Sequence, residues 1–160
     1  MPSPLPFRHL VTLVATFFGA GLLPKAPGTW GSLATLPFAW VIDGWTGWWG
    51  LVAAAAILFC IGWWAANGYI RHARIEDPGA IVIDEVVAQL LVLAVVPREL
   101  AWYGAAFVAF RVFDMAKPWP ISWADRTIKG GLGTMIDDVL AAIFAAVILT
   151  GAMMVISILG

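Results

Sequence analysis

The sequence is short of charge. Asp, Glu, Lys and Arg together make up 12% of it, where a soluble domain averages ~25%. Hydrophobic residues take 62%, and mean hydropathy is +0.90. That balance excludes an ordinary soluble domain and implies an integral membrane protein. Surplus positive charge is missing too, since the formal net charge is −1. Binding a phosphate backbone requires that surplus, so no nucleic-acid partner is expected. The single cysteine, Cys60, lies in an apolar run. One thiol excludes a disulfide framework or a cysteine-based metal site within one chain. The two histidines, His9 and His72, have neither H-x-x-x-H nor H-E-x-x-H spacing, so neither is expected to ligate a metal. No clear A-x-A cleavage site follows the apolar run from Leu10 to Leu23, which argues against a cleaved signal peptide. No fixed-period repeat or low-complexity tract occurs. The length predicts one domain, residues 1–160.

What the chain does have is a series of uncharged stretches. Residues 1–6 carry three prolines and read as a tail. Leu10 to Leu23 would rise only about 21 Å as a helix, so a re-entrant or tilted segment is expected. The prolines and glycines of Pro24 to Ser32 predict a tight loop. Leu33 to Ile42 is a second short apolar piece. Trp48 to Ala66 is uncharged, with Trp48, Trp49, Trp63 and Trp64 placed as an interfacial aromatic belt. That helix has room to continue to Arg71 or Arg74. Ala80 to Val96 and Ala101 to Ala116 predict two further helices. Ile121 to Gly133 reads as a polar loop. A final helix is expected from near Thr134, and its uncharged part, Val139 to Ile158, is long enough to span a bilayer, which takes about 20 residues. The expected fold class is all-α: a polytopic integral membrane helical bundle with short re-entrant or partial N-terminal helices.

The basic residues orient it. Arg71, Arg74, Lys117, Arg126 and Lys129 fall in two loops, and only Arg98 lies in the opposite one. Basic loops face the cytoplasm. Asp77, Asp84, Glu85, Asp114, Asp137 and Asp138 then share the cytoplasmic side. Lys25 joins them if Leu33 to Ala66 forms a hairpin.

Clustered carboxylates repel one another, and a divalent cation relieves the repulsion. Oxygen-only ligands favour a hard ion, Mg2+ first. Each acid also has a plainer explanation. Acids near a helix start complement the macrodipole. Asp77 could cap a helix, Arg111 and Asp114 could simply pair, and Asp84 and Glu85, about 100° apart on a helix, need not both face inward. Asp125 and Arg126 read as a solvated loop pair. Convergence on one face favours a joint site. Lys25, Gly28, Thr29 and Ser32 add an anion-binding possibility, since glycine-freed N–H groups at a helix start bind phosphate; Ser32 as a simple N-cap is the alternative. Metal plus phosphate at a membrane face points to a lipid phosphate ester. An ion-coupled transporter or metal-binding membrane subunit would use the same acids, although transport sites lie near the bilayer midplane.

Long ordered motifs make the resemblance specific. They are Leu23 to Leu33 (LPKAPGTWGSL), Asp77-Pro78-Gly79 with Ile83-Asp84-Glu85, Phe110 to Met115 with Lys117 to Ile121, and Asp125-Arg126 with Gly130 to Asp138 (GGLGTMIDD). On these the chain resembles bacterial phosphatidylglycerophosphatase A. The resemblance implies a Mg2+-dependent phosphatase of the bacterial inner membrane, multi-pass, with its active site on the cytoplasmic side. It would convert phosphatidylglycerophosphate to phosphatidylglycerol and inorganic phosphate. The implied catalytic set is Asp84, Glu85, Asp114, Asp137 and Asp138, with Asp84, Glu85, Asp137 and Asp138 as metal ligands. Lys25, Gly28, Thr29, Arg111 and Lys117 would hold phosphate, with Asp77 and Ser32 as outer candidates. Ala88 departs from the family pattern, which has glycine there, and removes no ligand.

Overall fold

The computed structural model describes residues 5–160, so most of the expected N-terminal tail lies outside the described residues. Every regular element among them is helical. A short α1 (Leu10–Ala15) leads through a 3-10 turn (Ala20–Leu22) to α2 (Pro27–Thr46) and α3 (Trp48–Ala73). Then come α4 (Ile83–Leu93), α5 (Leu100–Ala116), α6 (Ile121–Thr127) and α7 (Gly130–Leu159). The core is built around α4, which packs on α2, α3, α5 and α7. Only Glu85 and Leu91 of its residues are partly exposed. Burying a Val, Leu or Ile is worth about 1.5–3 kcal/mol, so α4 is the apolar anchor of the bundle.

Several boundaries differ from the sequence expectation. Pro27 to Ser32 is not a loop but the start of α2. Proline suits a first helical turn because its fixed φ is helical and its missing N–H is unneeded there. The tight turn sits just before it, where Lys25 and Ala26 have φ of 61° and 48°. The helix then runs through Asp43-Gly44, so α2 is about 30 Å long rather than a short piece. Gly47 (φ 69°) joins α2 to α3 as the expected hairpin. At α4 the difference is opposite. Its 11 residues rise only about 16 Å, too little to cross ~30 Å of hydrocarbon. The Val82 N–H bonds Ala15 O at 2.9 Å instead of extending the helix backwards. Trp63 and Trp64 lie well inside α3 rather than at its end, because α3 continues to Ala73; Trp48 and Trp49 do stand at its start.

Among the described residues two helices, α3 and α7, are long and apolar enough to cross a membrane. Only 28% and 22% of their apolar windows are buried within the protein. Large apolar side chains such as Ile143, Val147, Ile148 and Val155 of α7 stand exposed. Exposed apolar area on this scale marks a lipid or partner surface.

Candidate metal and phosphate site

Four helix ends meet at one end of the bundle: the starts of α2, α4 and α7 and the end of α5. Between them lies a cavity of about 240 Å³. Six carboxylates line it, from Asp77, Asp84, Glu85, Asp114, Asp137 and Asp138, together with the cations of Arg111 and Lys117. Pro27 and Gly28 of α2 form another wall.

The acids divide into groups by helix geometry. Residues 137 and 138 are about 100° apart on α7, and they serve different partners. Asp138 faces α4, where its carboxylate and those of Asp84 and Glu85 bring one oxygen each within 4.8 Å of one another. Both Asp84 and Glu85 line the cavity, since α4 is enclosed on all sides. Asp137 instead accepts a 2.8 Å hydrogen bond from Lys117 Nζ. Lys117 also donates to Asp125 Oδ1 at 2.7 Å. Asp125 is therefore not a solvated loop partner of Arg126. It sits on α6, and sequence reasoning missed it because Ile121 to Gly133 looked like loop. The one available signal was Asp125 lying in a stretch that matches the family motif. Arg111 donates to Asp114 three residues on and lies 3.8 Å from Glu85 Oε1.

The Asp84, Glu85 and Asp138 cluster fits a divalent cation. Asp84 and Asp138 are buried and make no ion pair among the described residues. Asp84 Oδ1 and Asp138 Oδ2 are buried without a hydrogen-bond partner. Buried charge persists only when paired or coordinated. Three carboxylates offer hard oxygen donors to such an ion.

Gly28 is fixed by sterics. A Cβ there would run into Glu85 Oε1 and come within 3.1 Å of Arg111 Nη1. Gly28→Ala should push both groups off position. A misplacement of about 1 Å at a reacting centre costs around 10²-fold in rate, and steady-state kinetics would read it as a loss in kcat.

The other expected phosphate residues are placed differently. Lys25 is exposed and lines a neighbouring cavity with Tyr69 and Pro78. Thr29 is half-buried on α2 outside the site cavity. Ser32 is wholly buried in the helix rather than capping it.

The glycines leading to Asp137 have a packing role. The last helix starts at Gly130, not near Thr134, so its acids lie about two turns inside. Gly130 has φ 75°, which glycine adopts at least cost. A Cβ on Gly131 would be 2.8 Å from Asn67 N and 2.9 Å from Trp63 O, so α7 approaches the α3 backbone there. The Gly131 N–H donates to Asn67 Oδ1 at 2.9 Å. Gly131→Ala should cost about 1–3 kcal/mol by overpacking, read as a lower thermal midpoint in detergent.

Lys117 lies outside the long apolar helices. Burial pulls its ammonium pKa down, but the hydrogen bonds it donates to Asp125 and Asp137 outweigh burial and raise it above the ordinary lysine value. The same bond holds the Asp125 carboxyl below the usual carboxylate range. A depressed carboxyl adds stability above its unfolded pKa, ~3.9 for Asp, and loses it as pH falls through the folded value. At this partly exposed pair the gain is at most about 1 kcal/mol. Asp125→Asn should therefore remove a small stability increment at pH 7 that fades as pH falls through the folded Asp125 value, measurable by denaturation at neutral and at acid pH.

An all-helical protein with membrane-length apolar helices and an enclosed carboxylate cluster beside two anchored cations is of a definite class. It combines two helices long and apolar enough to cross a membrane with a carboxylate cluster of metal-binding geometry. The family profile described as Phosphatidylglycerophosphatase A matches residues 13–153, and the chain belongs to that family. It is 41% identical over 138 residues to the Escherichia coli protein named Phosphatidylglycerophosphatase A, covering 86% of this chain and 80% of that one. It is 40% identical over 139 residues to the Haemophilus influenzae protein of the same name, covering 86% and 85%. A Bacteroides thetaiotaomicron protein with the provisional name phosphatidylinositol-3-phosphatase is 38% identical over 161 residues, covering 92% and 96%. No solved structure gives a significant match.

Proposed function

We propose that this protein is a Mg2+-dependent phosphatidylglycerophosphatase of the bacterial inner membrane. It removes the terminal phosphomonoester of phosphatidylglycerophosphate in glycerophospholipid biosynthesis, releasing phosphatidylglycerol and inorganic phosphate. One domain, residues 1–160, carries the activity. The single observation behind this reading is the cavity in which Asp84, Glu85 and Asp138 converge beside Arg111 and Lys117. The family names point to the same substrate.

Asp84, Glu85 and Asp138 hold the cation, and Asp137 stands beside them. A bound Mg2+ would polarise a phosphoryl oxygen and acidify a water. Arg111 and Lys117 hold the phosphate, with the Gly28 N–H at the positive end of α2. Asp114 and Asp137 keep those two cations in place, so little reorganisation is needed when charge develops on the phosphoryl group. Water oxygen bonds to phosphorus and gives up a proton, the bond from phosphorus to the glycerol oxygen breaks, and that oxygen takes up a proton in its place. Lys25, exposed beside the cavity, draws in the anionic headgroup, with Thr29 and Asp77 at the margin. The basic loops around Arg71, Arg74, Arg126 and Lys129 support a multi-pass bundle whose site opens to the cytoplasm.

The test is phosphate release by purified protein in detergent, comparing phosphatidylglycerophosphate with phosphatidylinositol 3-phosphate. Higher kcat/KM on phosphatidylglycerophosphate is expected. Preference for the inositol lipid, or release from neither, would overturn the substrate assignment.

A further inference from the structure

One buried polar residue has no role in the site as described. Gln89 of α4 is wholly buried, and neither Nε2 nor Oε1 has a hydrogen-bond partner. An unpaired buried amide costs about 1–3 kcal/mol per group, so an apolar side chain would serve the core better. Gln89 follows Glu85 by four residues, which places both on one face of α4. Side chains on a helix lean toward its N-terminus, so Gln89 leans toward Glu85. The Glu85 Oε2 atom is itself buried without a partner. On α2, Ser32 is wholly buried and its Oγ likewise has none. Ser32 lies next to Gly31 and one turn beyond Gly28, and these two glycines pack against α4 at Val82 and Glu85. Gly28 and Glu85 meet where α2 and α4 pack, and helical spacing sets Ser32 and Gln89 each one turn further from the site on those two helices.

We propose that Gln89 and Ser32 are positioning residues for Glu85. They form a buried hydrogen-bond network, completed by an internal water, that fixes the carboxylate for cation binding. Buried waters typically join about three otherwise unsatisfied polar groups, and carboxylates that ligate metals are themselves held by hydrogen bonds whose loss costs 10–100-fold in metal affinity. The inference rests on the metal reading of the Asp84, Glu85 and Asp138 cluster.

The experiment measures Mn2+ binding to purified, metal-stripped protein by electron paramagnetic resonance, together with the thermal midpoint of the stripped protein. Gln89→Met keeps the side chain's length and removes its polar atoms. It should weaken Mn2+ binding by about 10-fold or more while leaving the stripped protein's midpoint unchanged or higher. Ser32→Ala should weaken binding in the same direction. The double variant should bind about as weakly as Gln89→Met alone, because the two act through one network. Wild-type Mn2+ affinity in Gln89→Met, with or without a lower midpoint, would overturn the proposal, as would full additivity in the double variant. If Gln89→Met does not fold, Ser32→Ala decides alone, and unchanged affinity overturns the proposal. Failure of the wild-type protein to bind Mn2+ would instead remove the metal reading beneath it.

Discussion

Asp138→Asn should lower phosphate release by about 10³-fold, because a metal supplies several kcal/mol of charge stabilisation and ~4 kcal/mol corresponds to that factor. Asp138 is one of three carboxylates whose oxygens converge, and no basic group pairs with it among the described residues. Its neighbour provides the contrast. Asp137 is bonded to Lys117, so Asp137→Asn should cost less and act mainly through the position of the lysine. The measurement is kcat for both variants over a Mg2+ titration, with circular dichroism confirming the fold. Asp138→Asn should also need more Mg2+ for its residual rate. Equal losses in the two variants, with no change in Mg2+ requirement, would contradict the division of roles on α7.

Arg111→Met should be damaging in two separable ways. Arg111 is the only cation within ion-pair reach of Glu85 or Asp114 among the described residues. All three side chains are nearly enclosed, at 11–13% exposure. Removing one partner of a buried pair costs about 3–5 kcal/mol, so the thermal midpoint should fall markedly. Phosphate binding should weaken as well, appearing as a raised KM together with a lower kcat. Arg111→Lys keeps the charge but loses the planar fork that can serve a carboxylate and a phosphate together. It should recover much of the stability and little of the activity. Full activity in Arg111→Lys would show that charge alone suffices there.

Much of this arrangement was legible in the sequence. The basic residues gathered in two loops put Asp84, Glu85, Asp114, Asp137 and Asp138 at one end, and one cavity contains all five. The hydrophobic runs marked α3 and α7 because an unbroken apolar stretch needs no tertiary information to be recognised. Less could be read where glycine and proline occur. They signal a turn when local preference is all that is known. At Pro27 and Gly28, and again at Gly130 to Gly133, helix packing decides instead, with glycine admitting Glu85 in one case and the α3 backbone in the other. The 11-residue length of α4 was hidden for a similar reason: Ala80 to Val96 is apolar throughout its flanks, but the Val82 N–H is bonded to Ala15 O. Local sequence does not reveal a long-range bond of that kind. Nor could it show that Lys117 joins Asp125 to Asp137, twelve residues apart on two helices whose boundaries were not visible.

The central claim is that the carboxylates of α4 and α7 hold a divalent cation needed for hydrolysis of a lipid phosphomonoester. Its most direct test is phosphate release from phosphatidylglycerophosphate by protein stripped with a chelator, before and after Mg2+ is restored. Release should drop to the level of Asp138→Asn on stripping and return with Mg2+. Undiminished release from the stripped enzyme would contradict the claim.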